Sequence, residues 1–158
     1  MSQPTRMRAA CAEDARLLWA WANDPLVLAM AFDPQPLPWE PYQQWFLQRT
    51  AEGRSWFALL EIAGGPPIGQ ARFDVHAEGL EMDYSIAAPY RGQGYGAMLV
   101  AEALALARTR WDAGTMVIAR VLTANPRSLA VCRRAGFHIT ACGAEADHPY
   151  VRLERRLA

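Results

Sequence analysis

The chain has 158 residues and balances 16 basic side chains against 16 acidic ones, every basic one being arginine. That length is the expectation for one domain burying roughly 68–70% of its unfolded surface, and a hydrophobic content of 52% excludes a disordered chain. Zero net charge removes any bulk pull toward nucleic acid or an anionic membrane, so neither is expected as a partner.

Three cysteines, Cys11, Cys132 and Cys142, with no C-x-x-C pair argue against a disulfide framework and for a reducing compartment. His76, His138 and His148 lack metal-ligand spacing, so no metal is expected. The N-terminal segment has no apolar core of signal-peptide length. The longest nearly apolar run, Ala97 to Ala107, is interrupted by Glu102 and is too short to span a bilayer. The expectation is a soluble, cytoplasmic protein. Five of the six tryptophans fall at positions 19, 21, 39, 45 and 56, an aromatic first half.

In chain order, Arg6–Ala10 reads as a short strand. Acids at Glu13 and Asp14 open a helix running to about Ala22, ended by Asn23-Asp24-Pro25. Leu26 to Phe32 suggests a helical turn. Prolines 34, 36, 38 and 41 form a stiff connector into a helix from Trp39 to about Glu52, with Tyr42, Trp45, Phe46 and Arg49 on one face. The period then changes. Trp56–Ile62 and Pro67–Val75 read as a hairpin about Gly64-Gly65-Pro66, and Leu80–Ala87 as a third strand. A helix from about Gly94 to Arg110 precedes the apolar strand Thr115–Leu122. Pro126 starts another helix, which Gly136 caps, and Phe137–Cys142 and Tyr150–Leu157 close the chain as strands. The fold class is a single α/β domain over 1–158, with a mostly antiparallel central sheet flanked by helices and one parallel crossover between strands 80–87 and 115–122.

The turn Ala87-Ala88-Pro89-Tyr90-Arg91-Gly92-Gln93-Gly94-Tyr95-Gly96-Ala97 joins that strand to that helix. Free N–H groups at a helix start, with glycines removing Cβ atoms, form a site for phosphate. Gly92-x-Gly94-x-x-Ala97 matches the dinucleotide fingerprint, but helices and antiparallel strands precede it and Asp112 lies before the next strand rather than at its end. A Walker A loop needs a lysine, and there is none.

Arg91-Gly92-Gln93-Gly94-Tyr95-Gly96 resembles the signature with which the GNAT acetyltransferases bind the acetyl-CoA pyrophosphate. Asn125-Pro126-Arg127-Ser128 through Ala135-Gly136-Phe137 resembles that family's second segment. Trp19-Ala20-Trp21-Ala22-Asn23-Asp24-Pro25, Trp45-Phe46 and Ile68–Asp74 resemble the subgroup acting on ribosomal-protein N-termini or nucleotide-linked amino sugars. The resemblance implies a sheet splayed at the cofactor site and acetyl-CoA as cosubstrate. It implies that Gly92, Gln93, Gly94, Tyr95, Gly96 and Ala97 hold the pyrophosphate, that Tyr84, Ser85 and Ile86 pair with the pantetheine arm, and that Arg91, Asn125 and Ser128 assist.

Acetyl transfer also needs proton transfer. Glu81 and Asp83 share one strand face, continued by Ser85, and are candidates to accept the proton of an ammonium. Where the family often carries a tyrosine acid this chain has Cys132, which makes Ser128, one helical turn earlier, the candidate donor. The expected activity is direct acetylation of a primary amine: an amino sugar, a protein N-terminus or a small amine. A non-catalytic CoA-binding module is the alternative, and a homodimer stays open.

Overall fold

Turn chemistry builds the first half of the sheet. The computed structural model describes residues 3–158, so the first two positions of the expected domain lie outside the described residues. The strands are β1 (Thr5–Ala9), β2 (Ser55–Ile62), β3 (Pro67–His76), β4 (Gly79–Ile86), β5 (Met116–Leu122), β6 (His138–Glu145) and β7 (His148–Arg156). They form one seven-stranded sheet in the order β1-β2-β3-β4-β5-β7-β6. Every neighbouring pair is antiparallel except β4 and β5. The helices are α1 (Ala15–Ala22), α2 (Pro25–Ala29), α3 (Trp39–Ala51), α4 (Tyr95–Ala107) and α5 (Pro126–Arg134). The spacing predicts all of these elements. It does not predict that β7 inserts between β5 and β6, nor the short 3₁₀ turn Ala88–Tyr90 ahead of the glycine-rich turn.

Helices pack on both faces of the sheet. Alternate residues of β2 serve opposite cores: Trp56 and Leu60 pack toward α4, Phe57 and Leu59 toward α1 and α3. This is why β2 reads as a continuous apolar run. On the α4 side Leu99, Val100 and Ala103 lie fully buried against Phe73, Val117 and Leu153. Burial of side chains of this kind contributes about 1.5–3 kcal/mol each. On the other side Phe46 packs on Phe57, ring centroids 5.0 Å apart, and carries the helices that roof the polar face of β3 and β4. Trp56 belongs to the first core with Phe73 and Trp111, whereas Trp21 and Trp45 remain beside the open part of the sheet. Among the described residues no helix is long and apolar enough to cross a membrane.

Candidate active site

β4 and β5 pair only at Leu80–Val117 and Glu81–Ile118. Beyond Glu81 the strands diverge, leaving residues 82–86 of β4 with an unpaired edge, whose N–H and C=O groups are available to a chain laid alongside. The gap ends at the glycine-rich turn. Gly92 and Gly94 hold φ of 76° and 87°, and a Cβ built on either meets nothing within 4 Å. Glycine is thus required for conformation, and the space above it is open. Gly94 is the N-cap of α4 and no side chain caps the helix. The first-turn N–H groups of Tyr95, Gly96 and Ala97 therefore lack intrahelical acceptors and face outward with the positive end of the dipole.

A cavity of about 560 Å³ follows this gap, from Tyr84, Ser85 and Ile86 past the turn to Asn125 and Ser128 on α5. Arg127 and Arg134 stand exposed on its rim. Arg91 lines the same cavity but is already engaged: its Nε donates to the Ile86 carbonyl at 2.9 Å and its Nη2 pairs with Asp24 at 3.0 Å. Asp24 in turn caps α2, accepting from the N–H groups of Leu26 and Val27.

A second cavity, of about 690 Å³, opens between the polar face of β3 and β4 and the roof formed by α1, α2 and α3. The two cavities meet: Tyr84, Ser85, Asn125 and Ser128 line both. At the seam the Tyr84 hydroxyl donates to Ser128 Oγ at 3.1 Å, while Asn125 Oδ1 accepts the Ser128 N–H at 3.2 Å. Burial pushes the Tyr84 phenol up to about 12 and the Cys132 thiol up to about 11. Both stay protonated at neutral pH, so Cys132 is no thiolate nucleophile.

The polar face is built by strand alternation. Gln70, Arg72 and Asp74 of β3 stand opposite Ser85, Asp83 and Glu81 of β4. Gln70 Nε2 donates to Ser85 Oγ at 3.2 Å and reaches Asp83 Oδ2 at 3.4 Å. Asp83 opens into the cavity while protein surrounds it on the other sides. That desolvation raises its carboxyl above the ordinary range, against the opposing pull of Arg72 and the Gln70 hydrogen bond. Glu81 lies beyond the cavity wall and takes Arg120 Nε at 2.9 Å and His76 Nε2 at 3.3 Å. The walls are aromatic, with Trp21 from α1 and Tyr42 and Trp45 from α3.

A sequence profile described as "Acetyltransferase (GNAT) domain" matches residues 5–138. The chain belongs to the GNAT acetyltransferase family. Acetyl-CoA is accordingly its acyl donor, and the open, donor-rich cradle at Gly92–Ala97 fits a diphosphate. No curated protein sequence matches the chain. Among solved structures, the fold resembles a spermidine N-acetyltransferase from Vibrio cholerae in complex with CoA and spermine, with TM-score 0.85 and 17% identity over 97% of this chain and 95% of that one. A dodecameric structure of the Vibrio cholerae enzyme aligns with TM-score 0.78 and 16% identity over 97% and 94% of the two chains. An aminoglycoside acetyltransferase in complex with coenzyme A aligns with TM-score 0.79 and 19% identity over 97% and 95%. These relatives are polyamine and aminoglycoside enzymes, not the ribosomal-protein or amino-sugar subgroup that the sequence resembles.

Within this GNAT fold, Tyr84, Ser85, Ile86, Arg91, Gly92, Gly94, Tyr95, Gly96, Ala97, Asn125 and Ser128 gather around one cavity. Gln93 does not line it; its side chain is exposed and its Nε2 donates to the Pro89 carbonyl at 3.1 Å. Of the paired acids, Asp83 faces the second cavity and Glu81 does not. Sequence reasoning missed Gln70, Arg72 and Tyr42, and it gave Tyr84 a backbone role only. The period-two run Gln70-x-Arg72-x-Asp74 was the available signal, because a polar stripe on a central strand needs a cavity or a buried network to receive it.

Proposed function

We propose that the chain acetylates a small primary amine by direct transfer, with both substrates bound at once. The supporting observation is the junction of the two cavities at Tyr84, Ser85, Asn125 and Ser128. An amine in the larger cavity would meet a thioester lying in the β4–β5 gap, and alignment of that kind is equivalent to concentrations of about 10⁵ M or more. Acetyl-CoA supplies the acyl group, activated as a thioester. The N–H groups from Gly92 to Ala97 hold its pyrophosphate, the unpaired edge at Tyr84, Ser85 and Ile86 pairs with the amide-bearing arm, and Asn125 orients Ser128.

Asp83 takes the proton of the incoming ammonium, and its raised pKa makes it a stronger base for that step. The amine nitrogen then bonds to the acetyl carbon as the carbon–sulfur bond breaks. Tyr84, through its hydrogen bond to Ser128, delivers a proton to the departing sulfur. Two protons leave the nitrogen and one reaches sulfur, so one is released to solvent per turnover. Glu81 acts at one remove, holding Arg120 on the cavity wall.

Calorimetry with CoA and a thiol-reactive dye assay across a panel of amines test this reading. Binding of CoA together with amine-dependent thiol release is expected. Binding without release for every amine would leave a CoA-binding module, and no binding at millimolar CoA would remove the reading altogether.

A further inference from the structure

The larger cavity carries two opposite charges that attract one another without forming a direct ion pair. Arg72 and Asp83 are register partners on β3 and β4, and both line the cavity. Arg72 nevertheless forms its ion pair with Asp74, Nε to Oδ2 at 3.1 Å, and none with Asp83. Asp74 is shared: Arg49 approaches it at 3.6 Å and the Ser55 hydroxyl donates to it at 2.5 Å. Two guanidinium groups thus share the Asp74 carboxylate, and Arg72, which also feels the charge of Asp83, is the member of that cluster on the cavity wall. Arg120, the other arginine on the wall, is in the opposite position, held between Glu81 at 2.9 Å and Glu145 at 3.3 Å. Its charge is met by these two carboxylates.

Around the Arg72–Asp83 pair the cavity offers one more polar group and an apolar body. The Tyr42 phenol, which burial pushes up to about 12, lines the same space and has no hydrogen-bond partner among the described residues. Trp45 lies against Arg72, guanidinium carbon 5.7 Å from the ring centroid, and Phe57 packs on Trp45. A ligand there would find a carboxylate near the cofactor seam, a guanidinium one strand away, a phenol donor, and aromatic walls.

We infer that the acceptor is a zwitterion, a primary amine bearing a carboxylate on a small apolar body, whose ammonium sits on Asp83 and whose carboxylate sits on Arg72 and the Tyr42 hydroxyl. This rests on the acetyl-transfer reading and narrows it. A polyamine fits poorly, because its second ammonium would face the Arg72 guanidinium; the other acid on the wall, Asp33, lies exposed on the loop, its Oδ1 accepting the Gln35 N–H at 3.2 Å. A peptide N-terminus also fits poorly, since its amide brings no negative charge to the guanidinium.

The experiment compares L-phenylalanine, L-phenylalaninamide, 2-phenylethylamine and spermidine by acetyl-CoA-dependent thiol release, and measures binding of the same compounds by calorimetry in the presence of CoA. L-phenylalanine is expected to exceed the amide and 2-phenylethylamine by about 10- to 100-fold in kcat/KM, the range for one charge-assisted contact. Arg72→Met is expected to erase that ratio and Arg72→Lys to keep part of it. Because the readout is a ratio between substrates within one variant, partial misfolding scales both arms and leaves it unchanged. Equal turnover of 2-phenylethylamine or spermidine, or a ratio insensitive to Arg72→Met, overturns the inference while leaving acetyl transfer standing. Arg72-dependent binding of L-phenylalanine with no thiol release from any amine overturns acetyl transfer and leaves the zwitterion site standing. Neither binding nor a carboxylate preference overturns both.

Discussion

The Tyr84 hydroxyl lies 3.1 Å from the Ser128 hydroxyl, bridging the free edge of β4 to the first turn of α5 where the two cavities meet. A strand thereby brings a phenol to the seam of the two cavities, although the helix position at which the family often carries tyrosine holds Cys132. Tyr84→Phe is expected to lower kcat by about 10²-fold or more, the range for a lost general acid, while CoA affinity stays close to that of the parent. Ser128→Ala should cost less, and the double variant less than the product of the two, because they share one proton route. Steady-state thiol release beside CoA titration checks this; full kcat in Tyr84→Phe would take the donor role away from the tyrosine.

The raised carboxyl of Asp83 has consequences of opposite sign for rate and for stability. In the proposed role of base it works only when ionised, so kcat/KM is expected to rise with pH along an acid limb lying above the ordinary aspartate value of about 3.9. Asp83→Asn should remove that limb and lower the plateau. For stability, a folded-state pKa above the unfolded one means that the native state binds more protons between the two values, and the native state therefore loses stability as pH rises through that window. Asp83→Asn, which resembles the protonated acid, is expected to melt higher than the parent at pH 7 and to lose that advantage near pH 3–4. Thermal melts at both pH values decide it.

Much of this fold was legible because its signals are local. Proline and glycine punctuate the helices, and the run Phe57–Leu60 shows a strand buried on both faces. The glycine-rich turn was legible for the same reason: Gly92 and Gly94 hold positive φ, and they announce themselves two positions apart. What depends on distant partners was not legible. Nothing in the pattern of His148–Arg156 says that it pairs with Met116–Leu122 instead of lying at the sheet edge. Arg91 reads as a phosphate ligand, and nothing near it in sequence shows that Asp24, 67 positions away, pairs with it. Glu81 and Asp83 look equivalent on their strand, and only the course of β5 separates them, pairing beside Glu81 and leaving Asp83 at the gap.

Gly94 tests the cradle without disturbing the core. A Cβ at that position meets no protein atom within 4 Å, but its φ of 87° is unfavourable for an L side chain. Gly94→Ala is expected to cost roughly 1–2 kcal/mol of stability through the left-handed conformation alone, and to raise the Kd for CoA by placing a methyl group where the diphosphate would lie. Gly79→Ala is the control: its Cβ would run into the Met116 backbone. Its loss should therefore appear in chemical denaturation, beyond the strain seen at Gly94. Equal CoA affinity in Gly94→Ala and the parent would move the diphosphate away from this turn.

The three arginines lining the smaller cavity should respond differently to removal. Arg91 already faces a carboxylate and a carbonyl, and Asp24, which it holds, caps α2. Arg91→Ala is therefore expected to loosen α2 and the turn, seen as a lower Tm with or without CoA. Arg127 and Arg134 stand exposed on the rim, free of ion pairs among the described residues. Their charge is available to the cofactor phosphates, screened over a Debye length of about 10 Å at 0.1 M salt. Arg127→Gln with Arg134→Gln should leave the Tm of the free protein within about 0.5 kcal/mol-equivalent of the parent, weaken CoA binding at low salt, and flatten its salt dependence. Calorimetric titrations at two ionic strengths measure this. If Arg91→Ala instead weakens CoA in a salt-dependent way at unchanged Tm, the phosphate contact belongs to Arg91 and its link to Asp24 is secondary.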